Sequence, residues 1–211
     1  MTPESDGVST PAAAAGCGGP PRGARGGAGR VTLAGGWARA VLVTNAIATG
    51  VMLGILQWSV FFLLQSYLAS TAIVYLLGTC VWLWGSVIGM ALPGRAEPLF
   101  LAGAVLSFQL FHALAARHPY ALEWLSVLLP LVAVMGAYAG RFFRCRAALF
   151  ASTKWLFFLE NTAFVMGMVI TAVSLFWTGD TFFRVAPWVA ASVVGLTAGV
   201  IWRRGHAWEQ T

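Results

Sequence analysis

The residue whose position most suggests chemistry is a carboxylate, Glu160, within an apolar stretch. It lies in the segment FFLENTAF, and no charged residue follows it until Asp180. A charged side chain inside a bilayer is costly, so an ionisable group there is a candidate for a substrate or proton site. The structural alternative is that Glu160 pairs with a basic side chain near the membrane surface or is held by hydrogen bonds within the protein.

Three uncharged amides are the expected companions of Glu160. Asn161 is adjacent in sequence, although on a helix it points about 100° away. Asn45 and Gln57 belong to an earlier apolar run, and they reach Glu160 if the two helices touch. The predicted polar intramembrane site is therefore Glu160, Gln57, Asn161 and Asn45, with Gln57 facing Glu160.

The sequence contains no pattern typical of a metal, haem or catalytic site. A haem held by His112 would need a second histidine at the same depth, whereas His118 and His206 lie at the ends of apolar runs. The three cysteines show no CxxC-type spacing. Asp180 and Arg184 are four residues apart and are expected to pair with each other. We therefore expect no cofactor, and an intramembrane enzyme or quinone-linked carrier is the least favoured class.

The composition is that of an integral membrane protein. Hydrophobic residues make up 59% of the chain and charged residues 9%, whereas a soluble domain has about 25% charged residues. The net charge is +6, but the basic residues lie between apolar runs rather than on one helical face. This placement indicates topology signals and not a nucleic-acid-binding surface. Residues 1–37 are rich in Gly, Pro and Ala, which predicts a disordered tail.

Six apolar runs predict six transmembrane helices within one domain, residues 38–204. The spans are expected near residues 37–65, 68–92, 98–116, 120–140, 155–178 and, after a turn, up to about 202. Six spans place both termini on one side, where 11 of the 13 Lys and Arg residues would lie. By the positive-inside rule that side is cytoplasmic. We expect an all-α, multi-pass protein of the inner (plasma) membrane, with residues 205–211 as a short cytoplasmic tail.

Glycines spaced four residues apart predict close helix packing. Such a pair shares one helical face, so a neighbouring backbone can approach closely. The pattern predicts contacts within the bundle, and a dimer face is the alternative. The expected packing positions are Gly50, Gly54, Gly85, Gly89, Gly136, Gly140 and, in the fifth span, Gly167.

Three apolar patches also suggest a family relationship. Residues 50–90 begin with a glycine and end in LWGSVIGM, residues 129–137 read LPLVAVMGA, and residues 160–167 read ENTAFVMG. In order and spacing these patches resemble the membrane domain of the membrane-bound spermidine-synthase-like proteins. That family often has Glu where this sequence has Gln57, and Asp where it has Glu160.

The resemblance implies a membrane domain that, in the family's enzymes, is joined to a soluble aminopropyltransferase-like domain. This sequence has no Gly-rich loop between a strand and a helix, so polyamine synthesis is not implied. We expect a non-catalytic integral membrane subunit or scaffold that contacts lipid and acts with a partner protein or a second copy of itself. The alternative is a small transporter or channel for a cation or amine, acting as a dimer because six spans resemble half of a larger transporter.

Overall fold

The computed structural model describes residues 36–68, 72–92, 97–150 and 152–208 of the chain. Within these residues every element is helical, and no strand is present. Six helices are long and apolar enough to cross a membrane, so the predicted all-α, multi-pass fold is confirmed. The helices are α1 (Gly36–Tyr67), α2 (Ala72–Ala91), α3 (Glu97–Arg117), α4 (Leu125–Ala147), α5 (Thr153–Thr178) and α6 (Asp180–Trp208), with a 3-10 turn (Leu122–Trp124) before α4.

The two predicted tails lie largely outside the described residues. Only the last two positions of the proposed 1–37 tail are described, and they already belong to α1. At the other end α6 continues to Trp208, four residues into the segment that was predicted to be a tail.

The fourth helix differs from its prediction at both ends. It was expected over residues 120–140, but α4 begins at Leu125 and ends at Ala147. The prediction ended the span where arginines begin, and it placed Arg141, Arg144 and Arg146 in a connector. All three instead lie in the last two turns of α4, and Arg141 and Arg146 are buried. The helix continues because these side chains find oxygen acceptors within the bundle.

One closely packed helix pair is formed by α1 and α5. Gly50 lies against the backbone of Glu160, and Gly54 lies against Phe164 and Gly167. The later residue of α1 meets the later residues of α5, so the two helices run parallel. A side chain at Gly54 would collide with the Phe164 carbonyl oxygen, so the pair can approach this closely only with glycine there.

A second parallel pair is formed by α2 and α4, and glycines from both helices line it. Gly85 lies against Ala133 and Gly89 against Ala137, while Gly140 lies against Ser86 in return. The interface also contains an interhelical hydrogen bond. Ser86 Oγ donates to the carbonyl oxygen of Trp82 in its own helix and to that of Gly136 in α4, each at 3.1 Å. The glycines predicted from spacing therefore lie at contacts within the bundle.

Helix α1 lies at the centre, since it contacts each of the other five helices. Its buried face forms much of the apolar core, whereas α5 and α6 expose most of their large apolar side chains. Exposed apolar residues of this kind are expected where a helix faces lipid. We call the end of the bundle where α1 begins and α6 ends the terminal face, and the other end the opposite face.

Candidate functional site

Four polar side chains from four helices join at the terminal face. Arg146 of α4 donates from a terminal guanidinium nitrogen to Glu97 Oε1 of α3 at 2.7 Å, and from Nε to Asn45 Oδ1 of α1 at 3.0 Å. Asn45 Nδ2 in turn donates to Thr197 Oγ1 of α6 at 2.8 Å and to the carbonyl oxygen of Val194 at 3.3 Å. We refer to Glu97, Arg146, Asn45 and Thr197 as the terminal clamp.

The terminal clamp is a largely buried ion pair that is supported by further hydrogen bonds. Asn45 is fully buried and Arg146 is 7% exposed. Removing two charges from water is expensive, and an ion pair offsets that penalty only when its geometry is good and further hydrogen bonds are made. Asn45 supplies such bonds, because its amide accepts from Arg146 and donates to Thr197. The clamp therefore fixes α1, α3, α4 and α6 relative to one another.

Two further arginines of α4 bind the end of α2. Arg141 donates to the carbonyl oxygen of Leu92 at 2.6 Å, and Arg144 donates to that of Met90 at 2.6 Å. The last carbonyl groups of a helix have no partner within the helix, and a cation there also interacts favourably with the helix dipole. These arginines therefore cap α2 from the side, next to the terminal clamp.

Two buried hydroxyl groups lie deeper in the bundle than the terminal clamp. The Thr49 hydroxyl is adjacent to the Tyr138 hydroxyl, and Tyr138 is within electrostatic range of Glu97, Arg146 and Glu160. Both residues are fully buried. Among the described residues, neither hydroxyl meets the geometry of a hydrogen bond. Buried polar groups are thus found below the clamp as well as within it.

The structure separates the residues of the predicted intramembrane site. Glu160 is half-buried and its carbonyl lies against Gly50, which places it about level with residue 48 of α1. Gln57 is about nine residues further along, or roughly 13 Å at 1.5 Å per residue. Gln57 therefore does not face Glu160, and that prediction is wrong. Asn161 is exposed on the outer side of α5. Of the four residues, only Asn45 is part of the terminal clamp.

The clamp's two charged residues were absent from the predicted site. Arg146 was interpreted as a topology signal in a connector, and Glu97 was not singled out. A signal did exist in the sequence: Glu97 precedes the third span and Arg146 follows the fourth, so both lie on the same side of the membrane. Their burial could not be inferred, because it depends on how far α4 extends and on its position beside α3.

A second group of polar side chains lies at the opposite face, and we call it the opposite cluster. Asp180 accepts from Arg184 Nε at 2.7 Å, as predicted, and its other oxygen is 2.7 Å from His112 Nε2. Gln109 Nε2 donates to the carbonyl oxygens of Phe183 and Arg184 at 3.2 and 3.3 Å. These contacts hold the end of α3 against the start of α6.

A cavity of about 510 Å³ opens beside the opposite cluster. Its lining consists of Gln109, His112, Ala113, Ala116, Arg117 and Arg184. Two of these are guanidinium groups, and the alanines leave room beside them. Within the described residues no group of three His, Cys, Asp or Glu side chains could hold a metal ion. The guanidinium groups of Arg117 and Arg184 can donate hydrogen bonds to a group that enters this cavity.

The chain was compared with protein-family models, curated proteins and solved structures, and none of them matched.

Proposed function

We propose that this chain is a non-catalytic integral membrane subunit, similar to the membrane domain of spermidine-synthase-like proteins, and that it binds a partner protein at its terminal face. The observation that supports this is a set of four basic side chains at the terminal face, where the clamp also lies. Arg39, Lys154 and Arg203 are exposed on α1, α5 and α6, and Arg144 is half-buried on α4. An acidic surface on the partner complements such a set, and charge complementarity favours encounter and register.

The terminal clamp makes this face suitable for docking. Both partners lose conformational freedom when they bind, and this loss weakens the affinity. A rigid surface loses less, so it binds more tightly than a mobile one with the same contacts. The clamp joins α1, α4 and α6, which carry Arg39, Arg144 and Arg203, so it limits the movement of these three helices relative to one another. In this proposal the chain lies in the inner membrane and its terminal face is on the cytoplasmic side. This orientation agrees with the positive-inside rule.

Co-purification in mild detergent tests the proposal. The full chain is isolated from its native membranes at low and at high salt, and bound proteins are quantified by mass spectrometry. Replacing Lys154→Gln together with Arg203→Gln should reduce recovery of the partner several-fold, and so should high salt. The matched control is Arg117→Gln with Arg184→Gln, which removes the same charge from the opposite face and should leave recovery unchanged.

Orientation must be checked in the same variants, since basic residues also set topology. Single cysteines at positions 152 and 178 should react with an impermeant maleimide from opposite sides of the membrane. Recovery of this chain alone, or equal loss of the partner in both double variants, would rule out docking at the terminal face.

Transport of a small charged solute is the second candidate, and the contrast between the two faces favours it. A buried ion pair closes the terminal face, whereas the opposite face carries an open polar cavity. A transporter that is open to one side has this arrangement. The guanidinium groups of the cavity repel an amine, so a cation route would depend on the carboxylate of Glu160.

Uptake into proteoliposomes distinguishes this candidate from the first. Wild-type protein should accumulate labelled polyamine or phosphate above empty vesicles if it transports either. For a polyamine, Glu160→Gln with Gln57→Ala tests the two predicted residues, and unchanged uptake would exclude both from the mechanism. Absence of uptake for all solutes tried would exclude transport of those solutes.

A further inference from the structure

We infer that the cavity of the opposite cluster is a binding site for a phosphate group. The inference does not depend on the proposed function, because it concerns the other end of the bundle. It rests on three properties of the cavity: its two guanidinium groups, the bonds that hold Arg184 and the neighbouring side chains, and its location at the end of the membrane-spanning helices.

The cavity presents more positive charge than its own carboxylate offsets. Arg117 forms no hydrogen bond or ion pair with any described residue, and its side chain lines the cavity. Arg184 uses only Nε to bind Asp180, so both of its terminal nitrogens remain available. Two guanidinium groups against one carboxylate leave a net positive charge. Arginine is well suited to phosphate because its planar fork donates two parallel hydrogen bonds.

Three of the lining side chains, Gln109, His112 and Arg184, are each bonded to a residue of α6. Asp180 fixes Arg184 and also His112, which is 5% exposed. Gln109 is anchored to two carbonyl groups of α6, so the two helices cannot slide apart without breaking these bonds. Preorganised donors lose little conformational freedom when a ligand binds.

The location favours a ligand that is present at the membrane surface. Arg117 ends α3 and Asp180 begins α6, so the cavity lies where helices leave the apolar layer. Basic pockets between transmembrane helices bind lipid headgroups through their phosphates. A free phosphate ester from the adjacent water offers the same chemistry, and the volume of about 510 Å³ is sufficient for either.

The test measures lipid and phosphate separately on the full chain in detergent. Native mass spectrometry is used to titrate phosphatidylglycerol, and thermal unfolding is followed during titration with inorganic phosphate. We expect bound phosphatidylglycerol, and Arg117→Gln with Arg184→Gln should weaken it at least tenfold. A rise in melting temperature with phosphate that the double variant lacks would identify free phosphate as a ligand as well.

Matched variants distinguish binding at a specific site from binding through general surface charge. Arg203→Gln with Lys154→Gln removes two exposed basic residues at the terminal face and should leave binding unchanged. Arg117→Lys keeps the charge but loses the planar fork, and it should give intermediate affinity. Arg117 is exposed and has no hydrogen bond or ion pair with a described residue, so its replacement should not disturb folding. Binding that is equal in all variants, or equally weakened by the terminal-face pair, would overturn the inference. Absence of binding for both lipid and phosphate would also overturn it.

Discussion

The terminal clamp and the opposite cluster contain the same kinds of groups in different surroundings. Each has an acid and an arginine joined at 2.7 Å, and each connects the helices around it. In the clamp the side chains of Arg146 and Glu97 are 8% and 20% exposed. In the opposite cluster those of Arg184 and Asp180 are 71% and 46% exposed. The ion-pair distance is the same, so the two pairs differ in burial and in that the pair of the clamp joins two helices whereas Asp180 and Arg184 lie on one.

This difference separates the roles expected of the two ends. An exposed ion pair contributes about 0–1 kcal/mol, since water screens it and competes for the same groups. A buried pair adds little net stability as a whole, but removal of one partner leaves a charge that is neither hydrated nor paired. The clamp is thus a strong constraint on which helices stay together. The opposite cluster leaves its arginines available to a ligand.

The largest expected effect comes from breaking the clamp itself. Arg146→Met keeps most of the side-chain volume and leaves Glu97 and Asn45 without their main partner. Loss of one member of a buried pair should lower the free energy of unfolding by about 3–5 kcal/mol. The measurement is reversible unfolding in mixed detergent micelles. The matched change at the other end, Arg184→Met, should lower it by less than about 1 kcal/mol. Equal losses would show that burial does not distinguish the two ends.

The next largest effect tests whether the clamp depends on the position of α4 against α2. Gly140 lies six residues before Arg146, and a Cβ there would collide with the Ser86 carbonyl oxygen. Gly140→Ala should therefore lower the free energy of unfolding by up to about 3 kcal/mol, since the helices must separate or distort.

Gly199 provides the control for this change. No neighbouring atom of the described residues lies within 4 Å of a Cβ at Gly199, so Gly199→Ala should stabilise α6 by up to about 1 kcal/mol through helix propensity. The same substitution is thus expected to have opposite signs at the two positions, as measured by the same unfolding titration. A neutral Gly140→Ala would show that α4 can move without disturbing the clamp.

The sequence was sufficient to predict the six helices and the glycine positions that bring helices together. Both follow from local patterns: uncharged runs of sufficient length, and small residues one helical turn apart. The predicted pairing of Asp180 with Arg184 was also confirmed, because four-residue spacing on one helix fixes the proximity of the two side chains.

The sequence was not sufficient to predict which polar residues meet. Gln57 and Glu160 lie on helices that do pack together, but the parallel register separates them along the axis. That register follows from where Gly50 and Gly54 contact α5, and a single sequence does not contain this information. Arg146 was overlooked for a different reason. Charge near the end of a span usually indicates contact with water, whereas here a carboxylate from α3 and an amide from α1 allow the arginine to be buried.

A smaller effect is expected from the uncharged member of the clamp. Asn45→Leu removes the acceptor for Arg146 Nε and the donor to Thr197, but it leaves the bond between Arg146 and Glu97 in place. Hydrogen bonds between transmembrane helices contribute up to roughly 1–2 kcal/mol, so the free energy of unfolding should fall by about that amount.

A hydrogen bond near the opposite face gives the comparison for Asn45. The Tyr75 hydroxyl donates to Gln65 Oε1 at 2.8 Å in an exposed position. Gln65→Leu should change the free energy of unfolding by less than about 0.5 kcal/mol, since water replaces the lost partner. If Gln65→Leu destabilised the protein as much as Asn45→Leu, the clamp would have no special role among the polar contacts.

The smallest effect on stability is expected for Arg184→Gln, and its dependence on salt sharpens the comparison. The lost interaction is an exposed pair four residues apart on one helix, which contributes about 0.3–0.5 kcal/mol at low salt.

The Debye length falls from roughly 30 Å at 0.01 M to roughly 3 Å at 1 M ionic strength, so exposed charges are screened far more than buried ones. The difference between wild type and Arg184→Gln should therefore vanish at high salt, whereas that between wild type and Arg146→Met should persist. Unfolding titrations at the two salt concentrations measure both differences. A salt-independent loss above about 1 kcal/mol for Arg184→Gln would mean that the opposite cluster stabilises the fold through its desolvated contacts, as the clamp does.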